Sequence, residues 1–440
     1  MSVRSFLGGK VILHSGDCRE VLASLPEASV DSIVTDPPYG IGFMGKKWDT
    51  PGALVERKAA TENTWDHVGG NHNPSNSADQ VRTRLSEGRK YQAWCEEWAR
   101  AALRVLKPGG HIVAFSGTRT YHRMVTAIED AGFEVRDQIG WTFAAGFPKS
   151  HNLDGEHEGW GTALKPAWEP VCLARKPLIG TVAQNVTTHG CGALNIDGCR
   201  IEGAPAATRF DPSKHSHDGY RMTATGAECY ARSRGRAGEA SAEKRYTDDG
   251  ASNFAAMPGP RGGDAKGRWP ANICHDGSPE VMACFPETPG QLRPVTGVER
   301  SMRTLNAYGD FGSTRDGFDP RGDSGSAARF FFTAKADASD RVASKHPTVK
   351  PLDLMQWLCR LVTPKGGTVL DPFAGTGTTG EAAWREGFRA ILIEREAEYQ
   401  ADIARRMDLA EKPSKRAAVA KTKGKIDDHG PLFSGGDPAP

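Results

Sequence analysis

The sequence predicts an α/β protein: a mainly parallel sheet with helices on both faces, interrupted by a large loop-rich insertion. Three observations predict it. Residues 10–176 alternate short apolar runs with helical periodicities, which is the pattern of strands joined by crossover helices. The same alternation returns from Ala328 to about Met407. Between them, residues 203–328 are rich in Gly, Arg, Ser and Asp, with long stretches lacking periodicity.

Taken in order, Val11 to His14 reads as a strand, and a helix follows Asp17 through CREVLASLP. Ser32 to Thr35 is the next strand. Tyr91 to Leu106 places apolar residues three and four apart, so it is an amphipathic helix. The KPGG stretch, Lys107 to Gly110, stops that helix with turn chemistry. HIVAFSG is a strand, HRMVTAIEDAGF a helix, EVRDQIGWTF a strand, and EPVCLARKP from Glu169 one more. Inside the insertion, Gly267 to Pro286 offers a strand-like start and a brief helix. Ala328 to Ala336 is a strand candidate and Leu352 to Val362 a helix. The stretch from Gly366 then reads strand, Gly-rich turn, helix, strand, helix.

With 440 residues and 38% hydrophobic content the chain can bury a proper core. No apolar run approaches the roughly 18 residues of a membrane span, and the N-terminus turns polar too soon for a signal peptide. A cytoplasmic protein is expected. Its nine cysteines are odd in number and widely spaced without CxxC, which argues against a disulfide framework. A zinc site would have to draw on His189, Cys191, Cys199, Cys274, His275 and Cys284; without tight paired spacing no metal is expected. The net charge of +2 neither supports nor excludes a polyanionic partner, so local clusters such as Arg232, Arg234 and Arg236 matter more.

Two stretches carry chemistry. VDSIVTDPPYGIGF leaves a buried strand and at once presents Asp36, Pro37, Pro38 and Tyr39. TVLDPFAGTGTT ends a strand at Asp371, then turns through Pro372, Phe373, Gly375 and Gly377 into a helix near Thr378. Glycines there allow a tight turn and close approach of a ligand, and nucleotide-like ligands bind at the carboxyl ends of parallel strands. The turn is neither GxGxxG nor a lysine-bearing phosphate loop. Phe373 can lie against a ligand. Glu394, roughly 20 residues on, can accept hydrogen bonds from both hydroxyls of a ribose. With no arginine cluster for a pyrophosphate, the pocket suits a nucleoside with an uncharged or cationic linker, such as S-adenosylmethionine, whose amino-acid end Asp371 can bind.

Together the two stretches resemble the DNA amino-methyltransferases that modify N6 of adenine or N4 of cytosine. Asp36-Pro37-Pro38-Tyr39 matches the catalytic (D/N/S)PP(Y/F/W) motif, and Asp371 to Gly377 matches the cofactor turn. KHPTVKP, Lys345 to Pro351, resembles the segment that lines the methionine end of the pocket and contains Thr348 and Lys350. Catalytic motif first and cofactor motif last is the order of the β class. The resemblance covers roughly residues 9–180 and 328–407. It implies a Rossmann-like, circularly permuted S-adenosylmethionine-dependent methyltransferase fold, with a catalytic half at 1–180 and a cofactor half at 328–408. Target recognition would fall to 181–327, and a disordered tail to 409–440. It further implies that Asp36 and the Pro37 carbonyl hold the N–H bonds of the target amine, that Tyr39 stacks on the base, and that the base is flipped from the duplex. Asp17 would contact the cofactor's adenine, and it also suits a helix N-cap. Lys350 would orient the catalytic or the cofactor loop. Phe43, Trp48 and the polar residues to about Lys90 look like a mobile loop beside the site.

Asp at the first motif position is commonest among adenine-N6 enzymes, so adenine is favoured over cytosine-N4. The implied partner is double-stranded DNA in a prokaryotic or phage setting, without a membrane; homodimers occur in the class. Other readings are a non-catalytic DNA-binding module that retains the pocket and, at the level of the fold alone, a nicotinamide-dependent dehydrogenase, in which DPPY has no role.

Overall fold

Val30–Thr35 buries all six of its residues, as a strand covered on both faces must. It is the centre of a ten-stranded sheet in the computed structural model, which describes residues 2–41, 49–50, 77–146, 150–202, 267–287, 305–306, 309–310, 325–334, 338–346 and 348–412. In chain order the strands are β1 (Val3–Phe6), β2 (Val11–Ser15), β3 (Val30–Thr35), β4 (Leu106–Phe115), β5 (Glu134–Thr142), β6 (Trp168–Arg175), β7 (Ile273–His275), β8 (Leu305–Asn306), β9 (Gly309–Asp310), β10 (Phe332–Thr333), β11 (Thr368–Asp371) and β12 (Arg389–Glu394). The helices are α1 (Cys18–Ser24), α2 (Ser77–Val105), α3 (Tyr121–Asp130), α4 (Val182–His189), α5 (Pro279–Ala283), α6 (Leu352–Val362), α7 (Thr378–Arg385) and α8 (Ala397–Ala410).

The sheet runs β1-β2-β12-β11-β3-β4-β6-β5-β7-β10. From β2 to β4 every neighbouring pair is parallel. β6 is antiparallel to both β4 and β5. The C-terminal strands β11 and β12 thus lie between β2 and β3, which makes the sheet a permuted, Rossmann-like one. From β11 the chain crosses through α7 to β12 on one side, and from β3 it crosses through α2 to β4 on the other. The strand order therefore reverses between β11 and β3, and a crevice opens outside their carboxyl ends.

Consecutive strand residues feed opposite faces. Ile33, Leu370 and Ile393 pack with Leu22 of α1, Trp98 of α2 and Met124 of α3. Val34, Val369 and Leu392 pack with Leu358 of α6, Ala382 of α7 and Met407 of α8. α6 buries eight of its eleven residues, so it is held by packing and needs no side-chain cap.

Three local expectations change. The helix ending at Val105 begins at Ser77, so the polar residues from there to Lys90 are helical and not loop; residues 42–48 and 51–76, with Phe43 and Trp48, lie outside the described residues. The Lys107–Gly110 turn sits inside β4, not before it. The ladder pairs Val30 with Leu106 and then Ser32 with His111, so these residues are accommodated as a bulge, with Lys107 on Asp31 at 2.6 Å. Of the described residues from Ala328 to Ala334, only Phe332–Thr333 is strand, because Ala327–Phe330 winds into a 3₁₀ turn; residues 335–336 lie outside the described residues.

The chain divides into two compact units, Met1–Ile201 with Trp269–Pro286 and Ala328–Pro440, and Glu202–Arg268 with Glu287–Ala327. α4, β7 and α5, all inside the 181–327 stretch, belong to the first. In the second, β8 pairs with β9 antiparallel and Glu287 bridges Ser326. Arg232, Arg234 and Arg236 lie outside the described residues, as does the tail beyond Lys412. Among the described residues no helix is long and apolar enough to cross a membrane.

Candidate active site

The crevice holds a cavity of about 1090 Å³. The residues of the Asp36–Tyr39 turn, Asp17, Thr348, Lys350, Asp371, Pro372, Phe373, Gly375, Thr378 and Glu394 line it; Gly377 does not, and a Cβ there would face Ile403 and Met407 of α8. A Cβ at Gly377 would meet Ile403 at 3.1 Å, and its φ of 79° also demands glycine.

The two motifs are joined directly. Thr35, the last residue of β3, donates its hydroxyl to Asp371 Oδ1 at 2.6 Å, and Thr379 donates to Oδ2 at 2.6 Å. The Phe373 N–H adds a third bond at 3.1 Å. Asp371 is 2% exposed, and burial pushes its carboxyl up to about 6 against these donors. Its oxygens organise the turn and tie it to β3. On the other side of the turn, Glu394 accepts the N–H groups of Gly375 and Glu396, each at 2.8 Å. Burial pushes its carboxyl up to about 7.

The catalytic turn is equally braced. Tyr91 of α2 donates to the Pro38 carbonyl at 3.0 Å, and Asp49 accepts the Gly40 N–H at 2.8 Å. A Cβ at Gly40 would strike the Tyr91 ring at 2.5 Å. Asp36 meets two donors: the Tyr39 hydroxyl at 2.9 Å on Oδ1 and Lys350 Nζ at 2.6 Å on Oδ2. Lys350 therefore reaches the catalytic turn. Glu169, at the start of β6, approaches the same two groups, 3.2 Å from Lys350 Nζ and 3.3 Å from the Tyr39 oxygen. Burial alone would lower the Lys350 ammonium, but Asp36 and Glu169 outweigh it and hold it above the usual lysine value. Burial raises Tyr39 well above an ordinary phenol.

Asp17 caps α1, accepting the Arg19 N–H at 2.9 Å, and its carboxylate also pairs with the Arg19 guanidinium at 2.9 Å. Burial would raise Asp17, yet Arg19 holds it below the usual range. Phe373 wedges between Trp94 and Trp98 of α2, ring centroids 5.4 Å from each. His346 turns Nδ1 to the Thr348 carbonyl at 2.9 Å, and burial pushes it down to about 4, so the imidazole beside the turn is neutral. Pro347 lies outside the described residues.

Several of these groups escaped the sequence reading: Thr35, Asp49, Tyr91, Trp94, Glu169 and Arg406. Glu169 opens a segment legible only as a strand. Arg406 is fully buried; it pairs with Glu381 at 2.9 Å and donates to the Thr376 carbonyl at 2.8 Å, bracing the turn from α8. No cluster of three or more His, Cys, Asp or Glu able to hold a metal exists among the described residues, and the Cys191 thiol instead faces Asp31.

A strand-end acid on a rigid proline turn thus stands beside a glycine turn whose Gly375 N–H is held by the buried Glu394 at the end of β12. The DNA methylase family model for N6/N4 methyltransferases matches residues 30–220 and 293–405, and the chain belongs to that family. Type II methyltransferase M.HindIII of Haemophilus influenzae is 29% identical over 205 residues, 42% of this chain and 64% of its own length. Type II methyltransferase M2.DpnII of Streptococcus pneumoniae is 42% identical over 69 residues, 16% of this chain and 26% of its own length. This chain thus spans less than two thirds of either relative. Among solved structures, the cytosine-N4-specific PvuII DNA methyltransferase is similar at 15% identity and a TM-score of 0.42, covering 97% of this chain and 98% of its own. The M1.HpyAVI–SAM complex is similar at 16% identity and a TM-score of 0.36, covering 90% and 98%.

Proposed function

We propose that this protein is a site-specific DNA methyltransferase that uses S-adenosylmethionine to methylate N6 of an adenine flipped out of the duplex. The observation that carries this reading is the Thr35–Asp371 bond, which locks the Asp36 turn and the glycine turn against one cavity.

The residues present fit the cofactor. Glu394 offers a buried carboxylate at the cavity wall beyond the turn, Asp17 flanks the cavity, and Phe373 and Trp94 supply apolar walls. The neutral His346 adds no charge against a cationic sulfonium. When bound, S-adenosylmethionine supplies an already activated methyl group. The protein's own task is then to hold and sharpen a weak nucleophile. An exocyclic amine shares its lone pair with the ring; acceptors on its N–H bonds favour a tetrahedral nitrogen with that pair available. Asp36 and the Pro37 carbonyl are those acceptors, and the prolines, Tyr91 and Asp49 fix them before the base arrives. Tyr39 stands over the base. No reacting amine is reachable inside a duplex, so the base must leave the stack. Exposed Arg119, Lys165 and Leu164 at the cavity rim suit a DNA backbone and the gap left by the flipped base. Within residues 181–327, reading of the target sequence falls to the second compact unit.

The test is to incubate the protein with S-adenosylmethionine and unmethylated genomic DNA and to analyse the nucleosides by mass spectrometry. N6-methyladenine, abolished by Asp36→Ala, is expected. N4-methylcytosine would keep the chemistry and overturn the base. Neither product overturns the reading and favours a DNA-binding module.

A further inference from the structure

Asp36 is not the only carboxylate at the reacting end of the cavity. Glu169 faces it across two shared groups, so that the Tyr39 hydroxyl and the Lys350 ammonium each lie within 3.3 Å of both acids. The four groups close a ring. Lys350 is 6% exposed, Asp36 21% and Glu169 18%, and all three line the cavity that the base would fill.

This arrangement bears on a step that the holding of an amine leaves open. Once the amine nitrogen has formed its new bond to carbon, it carries a positive charge and must lose a proton. Asp36 touches that N–H and takes the proton first. A base seated in the cavity displaces water from Asp36, so the proton needs an internal way out. Resting on the proposed function, we propose that Glu169 is the terminal acceptor of this proton, reached from Asp36 through the Tyr39 hydroxyl. The N–H electron pair stays on nitrogen as its proton passes to Asp36 Oδ1. The Tyr39 O–H, which rests on Asp36, turns to Glu169 Oε2; Asp36 then hands a proton to the Tyr39 oxygen while the Tyr39 O–H proton moves to Glu169 Oε2. Nothing is oxidised or reduced, and the phenol ends neutral, as it began. Glu169, 18% exposed, releases the proton once the base has left the cavity.

The alternatives nearby are poorer. Lys350 is a full ammonium and accepts nothing. Burial keeps His346 a weak base, pushed down to about 4, and turns its Nδ1 to the Thr348 carbonyl. Asp371 spends its oxygens on Thr35, Thr379 and the Phe373 N–H. Glu169 is raised above an ordinary carboxyl by burial, with Lys350 opposing and Asp36 adding, which makes it the better base. Lys350 steadies both carboxylates and prevents their mutual repulsion from opening the ring.

The test compares single-turnover methyl transfer in wild type, Glu169→Gln, Tyr39→Phe and the double variant, across pH. Glu169→Gln keeps size and polarity but takes no proton. It is expected to lose roughly a hundredfold in rate, the low end of the range of general acid–base catalysis, and to shift or lose the acid limb of the profile. Glu169→Asp should recover part of that rate. Tyr39→Phe breaks the bridge, and the double variant should be no slower than the worse single one, because both act on one path. Carbon-13 spectra of the unloaded protein should show a carboxyl titrating above the ordinary range that vanishes in Glu169→Gln. A Glu169→Gln protein with wild-type rate and profile overturns the inference, as do strictly multiplicative losses in the double variant. A wild-type protein that transfers nothing to DNA overturns the proposed function and this inference with it; wild-type transfer with an unaffected Glu169→Gln overturns the inference alone.

Discussion

Cofactor affinity should depend on pH through Glu394. In the unliganded protein burial pushes this carboxyl up to about 7, even though the N–H groups of Gly375 and Glu396 favour its charge. A ribose diol donates two hydrogen bonds and needs the ionised acid. Binding is thus linked to loss of a proton below that value, and affinity must rise with pH. At about pH 6 roughly one molecule in eleven carries the carboxylate; at about pH 8 roughly ten in eleven do. The predicted change is therefore about tenfold in Kd, or about 1.4 kcal/mol, with the weaker binding at the lower pH. Titration calorimetry with S-adenosylhomocysteine, in buffers of different ionisation enthalpy, reads both the slope and the proton released. Asp371 also titrates in this window, pushed up to about 6, with its oxygens held by Thr35, Thr379 and the Phe373 N–H. Glu394→Gln separates the two, because its slope should flatten while Asp371 remains. An amide N–H in place of one oxygen faces one of the two backbone donors, so the variant is judged on slope and not on absolute affinity. A wild-type Kd constant within about twofold over the same range would refute the reasoning.

Two further outcomes follow from the braces around the site. Lys350→Met leaves Asp36 and Glu169 facing each other without their cation; removing one partner of a buried pair costs about 3–5 kcal/mol of stability, read by urea unfolding, and with Asp36 no longer held transfer should fall more than about tenfold while S-adenosylhomocysteine still binds. Rapid-quench transfer within about tenfold of wild type would show that the ammonium is incidental. Arg406→Met removes the donor to the Thr376 carbonyl and one partner of Glu381, which keeps Arg385 at 2.9 Å. The loss should lie at the low end of that range, about 3 kcal/mol by urea unfolding, with weaker cofactor binding; an unchanged midpoint would contradict it.

Local order in the sequence determined a good deal of this protein. Leu352–Val362 was readable as a helix, and Thr378 as a helix start, because apolar spacing and a glycine stop act over a few residues. β3, β11 and β12 were readable from short apolar runs that end in an acid, so Asp36, Asp371 and Glu394 could each be placed at a strand's carboxyl end. What each acid touches was decided only in three dimensions. The sequence places Asp371 beside the cofactor turn, and the structure adds that its oxygens hold Thr35 and Thr379. Lys350 was read as serving one loop or the other, and it is the sheet order that brings it to Asp36 and Glu169. Lys107–Gly110 carries turn chemistry that a neighbouring ladder absorbs as a bulge. Glu169 and Arg406 left no local mark, since a charged residue opening a strand or lying on a helix is ordinary until its partners are known. Those partners stand far off in the chain, and hydrogen bonds at 3 Å are set by which strands lie side by side. Periodicity and turn chemistry act on neighbours in sequence; the pairing of β11 with β3 acts across the whole chain, and the site exists only where they meet.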